Sequence, residues 1–427
     1  MGNLTFEQSS RPVVLGGKPL SGGLSHDWPR PVGSELELLG KVVESGQWGF
    51  DGPMEAQFEQ EFARYQDSSY GVCVTSGTVA LQLALESLDV GYGDEVIVPG
   101  LTWQATAAAA LDVNAVPVLA DVEASTYCID PDAVEALVTD RTRAIIVVHL
   151  YNNLANLDRV LEVGTRHGVP VIEDCAHNPG GQWRGRGVGS WGALGCFSFQ
   201  LYKTLTAGEG GLVTTNDSIL RERAYSLRNC GRRRPGSEEA PWRPVQSGNY
   251  RITELQAAVL LAQFSKFDAE VAERSQNVSH LDAELSSLDG VATLTAPAER
   301  TRISPYRYVF RYLTDEWDGL SAPAFRAALA AELGCPVEDP YDPLNRAPLY
   351  LPHTKRRYRV SEEHWRAVDP TRFSLPVAEQ ARREAVVLPH TLLLDPAAVD
   401  TVCEAVQRLR GHVAGLKQWE SGSSFIS

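Results

Sequence analysis

The strongest constraint in this chain is a series of short apolar runs of strand length, set apart by segments long enough for a helix. Residues 71–75, 95–98, 116–120, 144–150, 169–174, 194–199 and 211–215 are such runs. Between them, 79–88 and 102–111 have helical character, and Asp130-Pro131 reads as a helix start, with Asp as N-cap and Pro in the first turn. Apolar strands alternating with helices predict α/β layers around a mostly parallel sheet. Such sheets bind ligands beyond the carboxyl ends of their strands. Ser76, Trp103, Asp174 and Lys203 each stand at or just after the end of an apolar run, which predicts that they meet at that edge.

A chain of 427 residues is too long for one small core. Residues 1–50, rich in Gly, Pro and Ser, read as an arm with a short helix at 34–44. Residues 51–252 carry the strand–helix alternation of a large domain. A long helical stretch connects them, through 253–290, to a smaller mixed α and β domain at 291–427. The charged, Pro-rich segment 232–247 reads as an exposed loop. The net charge of −15 argues against nonspecific nucleic-acid binding, which needs a basic footprint. No apolar stretch is long enough to span a membrane, and the first residues lack a basic region followed by an apolar one. Seven scattered cysteines without a CxxC pair read as reduced thiols in a cytoplasmic protein with no metal site.

Three strings carry chemistry. Ser76-Gly77-Thr78 lies between a strand and a helix, where free N–H groups, a close-approach glycine and two hydroxyls suit a phosphate. The same residues also suit a plain N-cap. Asp174 closes the run Val171-Ile172-Glu173-Asp174, and a carboxylate at a buried strand end needs a cationic or hydrogen-bonding partner. A protonated pyridine is one such partner, and a capped loop is the alternative. Lys203 follows the strand-like Phe197-Ser198-Phe199 and precedes a glycine-dense turn. Partial burial there lowers a lysine's pKa and favours the neutral amine that forms Schiff bases, although a lysine can also snorkel from a strand end.

Ser198-Phe199-Gln200-Leu201-Tyr202-Lys203, followed by Thr206-Ala207-Gly208-Glu209-Gly210-Gly211, resembles the signature of the DegT/DnrJ/EryC1/StrS aminotransferases. The resemblance continues in order through Thr75-Ser76-Gly77-Thr78, Asp94-Glu95-Val96-Ile97-Val98-Pro99, Glu173-Asp174-Cys175-Ala176-His177 and Gly248-Asn249-Tyr250-Arg251. It implies fold-type I, with a mostly parallel seven-stranded sheet between helices and a smaller α+β C-terminal domain, and pyridoxal 5′-phosphate as cofactor. By that resemblance Lys203 is the Schiff-base lysine and proton carrier, and Asp174 keeps the pyridine nitrogen protonated. Trp103 would stack on the ring and His177 would sit near its hydroxyl. Ser76, Gly77, Thr78 and Ser198 would hold the phosphate, with Gln200 nearby. Asn249 matches the residue lent by the other subunit, which implies a homodimer with shared sites.

Phe199-Gln200 before the lysine resembles the aminocyclitol branch and the aminohydroxybenzoate synthases. The strings at 101–107 and 121–130, Arg357-Tyr358 and Leu388-Pro389-His390 resemble the glutamine:scyllo-inosose and 2-deoxy-scyllo-inosose aminotransferases. That resemblance implies a glutamine or glutamate donor and a keto cyclitol acceptor in aminoglycoside-type biosynthesis. Asn152-Asn153, where the family usually has Gly, and the bulky Tyr202 depart from the pattern. They mark either a different ketone or neutral loop variation. Tyr151, Asn152, Tyr202, Tyr250 and His390 are therefore the candidate substrate contacts. The rival readings are an aromatising dehydratase, an aminotransferase for nucleotide-linked keto sugars, and an inactive partner subunit. An aromatic product, a preference for nucleotide sugars, or failure to accept any amino group would respectively mark them.

Overall fold

The computed structural model describes residues 11–20, 24, 27–238 and 242–422. Residues 1–10 of the expected arm lie outside the described residues. The main sheet has seven strands: β1 Tyr70–Val74, β2 Glu95–Pro99, β3 Val116–Ala120, β4 Thr142–Val148, β5 Val171–Asp174, β6 Leu194–Ser198 and β7 Gly211–Thr215. Their spatial order is β1-β7-β6-β5-β4-β2-β3, and β7 alone runs against its neighbours. Strands β2, β3, β5, β6 and β7 are buried at every position, which is why they read as continuous apolar runs.

Helices follow the strands as the spacing predicts. They include α1 (Ser34–Ser45), α2 (Pro53–Tyr65), α3 (Gly77–Ser87), α4 (Ala105–Asp112), α5 (Pro131–Leu137), α6 (Leu157–His167), α7 (Ser218–Arg228) and α8 (Glu254–Leu285). Asp130 caps α5 through Asp132 N–H, with Pro131 in the first turn. Helix α4 starts three residues later than the spacing suggests. The backbone of Thr102 and Trp103 forms a turn instead, with Thr106 N–H donating to Trp103 C=O at 3.2 Å.

The 32-residue helix α8 opens with a capping box between Thr253 and Gln256. Its first residue also serves another helix. The Glu254 carboxylate accepts N–H bonds from Met54 at 2.9 Å and Glu55 at 2.8 Å, at the start of α2. The far end of α8 meets a three-stranded antiparallel sheet of β8 (Val291–Thr293), β9 (Arg307–Tyr312) and β10 (Ala385–Pro389). Helices α9 (Ala322–Leu333) and α10 (Pro396–Arg410) pack on each other beside this sheet.

Helices α2 and α7 and strand β1 are tied by one buried guanidinium. Arg228, 1% exposed, contacts Glu55, reaches Glu59 at 2.9 Å and Asp51 at 2.9 Å, and donates to Cys73 C=O at 2.9 Å. Removing one member of a buried ion cluster leaves uncompensated charge. Arg228→Ala is expected to lower the unfolding free energy by about 3–5 kcal/mol, read from the denaturant midpoint of the cofactor-free protein.

Candidate active site

Six of the seven strands point the same way, so their carboxyl ends share one edge, and a cavity of about 470 Å³ opens there. Asp174 is the last residue of the central strand β5 and faces this cavity with 6% of its surface exposed. It accepts hydrogen bonds from Thr106 Oγ1 at 2.9 Å and Ala176 N–H at 3.1 Å. Burial pushes its pKa up, against those two bonds and the charge of Lys203. A carboxylate dried out in this way favours a cationic partner.

Lys203 stands on the turn after β6, its N–H donating to Gln200 C=O at 2.8 Å. Its amine lies 4.0 Å from the centre of the Tyr306 ring. Burial pulls its pKa down to about 7, although Asp174 works in the opposite direction. A large share of the amine is therefore neutral near pH 7, as Schiff-base chemistry requires.

The first turn of α3 forms the next wall. Ser76 caps it, accepting from Val79 N–H at 3.3 Å, so the capping reading of this serine holds; Ser76, Gly77 and Thr78 also line the cavity. A side chain on Gly77 would come within 2.7 Å of Ser198 Cβ, and one on Gly211 within 2.4 Å of the Ser76 carbonyl carbon. Glycine at both places lets the ends of β1, β6 and β7 close against the helix terminus. Ser198 and Gln200 line the same side. The helix dipole and free N–H groups suit this wall to an anion.

Trp103 stands on the cavity wall with 46% of its surface exposed, and among the described residues its ring meets the Tyr341 ring, 5.9 Å away. His177 is buried and neutral, its pKa held far below the usual value by burial and by the nearby charges of Lys203 and Arg307. Its Nδ1 accepts from Tyr151 N–H at 3.5 Å and its Nε2 lies 3.2 Å from the Tyr341 hydroxyl.

Of the candidate substrate contacts, Tyr202 lines the cavity and the others stand elsewhere. Tyr151 is buried behind the wall, stacked on Tyr341 at 5.6 Å, and its hydroxyl accepts from Tyr341 N–H at 3.0 Å. Asn152 is buried, with Oδ1 accepting from Val309 N–H at 2.9 Å, and Asn153 donates to Thr295 C=O at 2.7 Å. The two asparagines brace β9 and the end of the β8 segment against the main sheet, which accounts for them without a ligand. The Tyr250 carbonyl accepts from Thr75 N–H at 3.0 Å behind the cradle. His390 is buried under the Lys203 turn and lies 3.1 Å from the Tyr202 carbonyl. Asn249 is exposed and away from this chain's cavity. Sequence reasoning missed Glu209, Tyr306, Arg307, Glu338 and Tyr341, which complete the walls. Glu209 sat inside a quoted motif, but the other four had no local signal because the C-terminal fold carries them in.

The site fits pyridoxal 5′-phosphate on chemical grounds. A protonated pyridine would relieve Asp174, a phosphate would meet the terminus of α3, and an aldehyde would find Lys203 partly neutral. Among the described residues the one metal-like cluster, His149, Glu173 and Cys175, is spoken for by hydrogen bonds. Glu173 accepts from Gly189, Trp191 and Gly192 N–H at 2.7–2.8 Å and lies 3.2 Å from His149 Nε2.

Enzymes with this sheet and this demand on their cofactor are the fold-type I pyridoxal-phosphate transferases, and the chain is an aminotransferase of that class. Residues 32–407 match the DegT/DnrJ/EryC1/StrS aminotransferase family, and the chain belongs to it. It is 42% identical to L-glutamine:scyllo-inosose aminotransferase of Streptomyces griseus, over 94% of this chain and 98% of the relative. It is 41% identical to L-glutamine:2-deoxy-scyllo-inosose aminotransferase of Streptoalloteichus tenebrarius, over 91% and 95%. The solved structure of 3-amino-5-hydroxybenzoic acid synthase superposes with a TM-score of 0.77 at 32% identity, covering 90% of this chain and all of that one.

Lys203→Ala is expected to abolish the visible absorbance of the purified protein and to lower turnover by about 10²–10⁴-fold. In the cofactor-free protein the neutral form of Lys203 grows as pH rises through about 7. The rate at which absorbance returns on adding pyridoxal phosphate should therefore climb between about pH 6 and about pH 8 and level off above. A rate flat across that window would contradict the lowered lysine pKa.

Proposed function

We propose that this enzyme moves the amino group of L-glutamine to a keto cyclitol of the scyllo-inosose type, in the biosynthesis of an aminoglycoside-type antibiotic. The end-to-end likeness to two glutamine:inosose aminotransferases at 41–42% identity carries this reading. The cavity supports it, because Tyr202, Tyr306 and Tyr341 wall a space next to Lys203 that also holds Glu209 and Glu338, acceptors for ring hydroxyls.

Pyridoxal phosphate, when bound, supplies an electron sink for the carbon that loses or gains its proton. Asp174 would hold the proton on the ring nitrogen, and Trp103 would cover the ring face. Ser76, Gly77, Thr78, Ser198 and Gln200 would fix the phosphate end. Lys203 Nζ would then take the proton from the donor's α-carbon and pass it to the cofactor carbon that carried the aldehyde, and in the second half-reaction it would return a proton from that carbon to the acceptor's former carbonyl carbon.

The assembly in this proposal is a homodimer in which Asn249, exposed on its own chain with Oδ1 accepting from Arg251 N–H at 3.4 Å, serves the partner's phosphate site. No described helix is long and apolar enough to cross a membrane, and the seven described cysteines are unpaired. Both features support the cytoplasm as its compartment.

Purified enzyme given L-glutamine should lose its visible absorbance and regain it on addition of scyllo-inosose or its 2-deoxy form, with an aminocyclitol detected by mass. Recovery only with a nucleotide-linked keto sugar would replace the acceptor. Formation of an aromatic product from aminodehydroshikimate would place the enzyme with the synthase it resembles in fold. Mixing subunits carrying Lys203→Ala with subunits carrying Asn249→Asp should restore activity that neither homodimer has, because a mixed dimer holds one intact site.

A further inference from the structure

The reaction asks one cavity to hold two unlike molecules in turn. The amino donor carries an α-carboxylate, whereas the acceptor is a neutral ring of hydroxyls. Beyond the phosphate cradle, the charged lining comprises Asp174, Lys203, Glu209, Arg307 and Glu338. Lys203 and Asp174 are committed to the reacting centre, and Arg307 is the arginine that this chain, among its described residues, brings to its own cavity lining.

Its placement suits that task. Arg307 opens strand β9, paired with Pro389 of β10, so its backbone is fixed by the sheet. The guanidinium lies 4.3 Å from the centre of the Tyr306 ring, the ring against which Lys203 also rests at 4.0 Å. The Lys203 amine and the Arg307 guanidinium therefore lie within about 8 Å of each other, a gap an α-amino acid can bridge with its amine at Lys203. Among the described residues, Arg307 makes its polar side-chain contacts through one nitrogen. Nη2 meets Glu338 Oε2 at 2.6 Å and donates to the Tyr306 hydroxyl at 2.9 Å. A guanidinium has five N–H donors, so the fork that grips a carboxylate is not used up.

Glu338 is the other half of the device. Its N–H donates to Val387 C=O at 2.9 Å, which anchors it to β10, while its side chain remains 36% exposed on the cavity wall. Paired with Arg307 it balances a charge that would otherwise stand open whenever no carboxylate is bound. It also offers acceptor oxygens to a hydroxylated ring.

Resting on the glutamine-to-cyclitol reading, we propose that Arg307 and Glu338 form an exchangeable pair that reads both substrates: Arg307 binds the α-carboxylate of the amino donor, and Glu338 binds the ring hydroxyls of the neutral acceptor. When the donor leaves, the Arg307–Glu338 contact closes, and the cavity presents acceptors in place of an open cation.

The test uses unreactive probes and calorimetric titration of the holoenzyme. Glutarate monoamide keeps glutamine's carboxylate and amide and lacks its amine, and scyllo-inositol is the acceptor with its carbonyl reduced. Arg307→Gln should weaken the monoamide by at least about 30-fold and change scyllo-inositol by less than about threefold. Glu338→Gln should weaken scyllo-inositol about tenfold and leave the monoamide as tight or tighter. Both variants should keep full cofactor content and an unchanged visible spectrum. Unchanged monoamide binding in Arg307→Gln, or equal loss of both probes in either variant with the spectrum intact, would overturn the assignment. Should Arg307→Gln not fold, Arg307→Lys keeps the charge without the fork, and an intermediate loss confined to the monoamide is expected. The wild-type enzyme separates the two levels of the argument. If it consumes glutamine yet ignores scyllo-inositol, the cyclitol reading falls, while the carboxylate assignment is still decided by the Arg307 variants.

Discussion

A carboxylate with almost no water around it is stable only beside a cation or a full set of donors, and Asp174 has two donors at the end of the central strand. Much of the molecule arranges itself around that demand. Strand β5 places the carboxylate at the cavity, Thr106 from α4 steadies one oxygen, and the turn after β6 brings Lys203 close enough for each group to shift the other's pKa. A protonated ring nitrogen would complete the set. Cofactor and fold would then be coupled, because the group that supplies the chemistry would also relieve a buried acid of the site.

Around that centre the sheet sorts tasks by strand. The end of β1 and the start of α3 offer an anion the backbone and hydroxyl donors of Ser76, Gly77 and Thr78. The segment after β2 supplies an exposed indole, and the segment after β4 supplies Tyr151 and two asparagines that act as struts. The C-terminal sheet then closes the cavity with Tyr306, Arg307 and Glu338. The cavity residues suited to the cofactor come from the large sheet, and much of the remaining wall comes from the end of the chain. A family can in this way keep its chemistry and change its ketone.

Legibility follows the same division. Strand ends, the Asp130-Pro131 cap, the long helix after Thr253 and the cofactor-side residues were readable because each is written in a local run of sequence. The substrate side was not. Asn152, and Tyr151 beside it, looked like contacts because the sequence departs there from the family pattern, yet their partners, Val309 and Tyr341, lie 157 and 190 residues away. His390 looked functional from its motif, and the fold turned it inward beneath Tyr202. Helix α4 begins at Ala105, and Thr102 and Trp103 of its expected first turn line the cavity.

What the sequence by itself determined was a parallel α/β sheet, a phosphate-suited helix start at Ser76 to Thr78, and an acid and a lysine at strand ends, because burial, capping and turn chemistry act over a few residues. Only the tertiary structure decided which side chains face the substrate. That choice depends on how the C-terminal sheet docks over the strand ends. The Arg307–Glu338 pair joins positions roughly thirty residues apart, and the Lys203–Tyr306 contact joins positions roughly a hundred apart, with no periodicity to announce either.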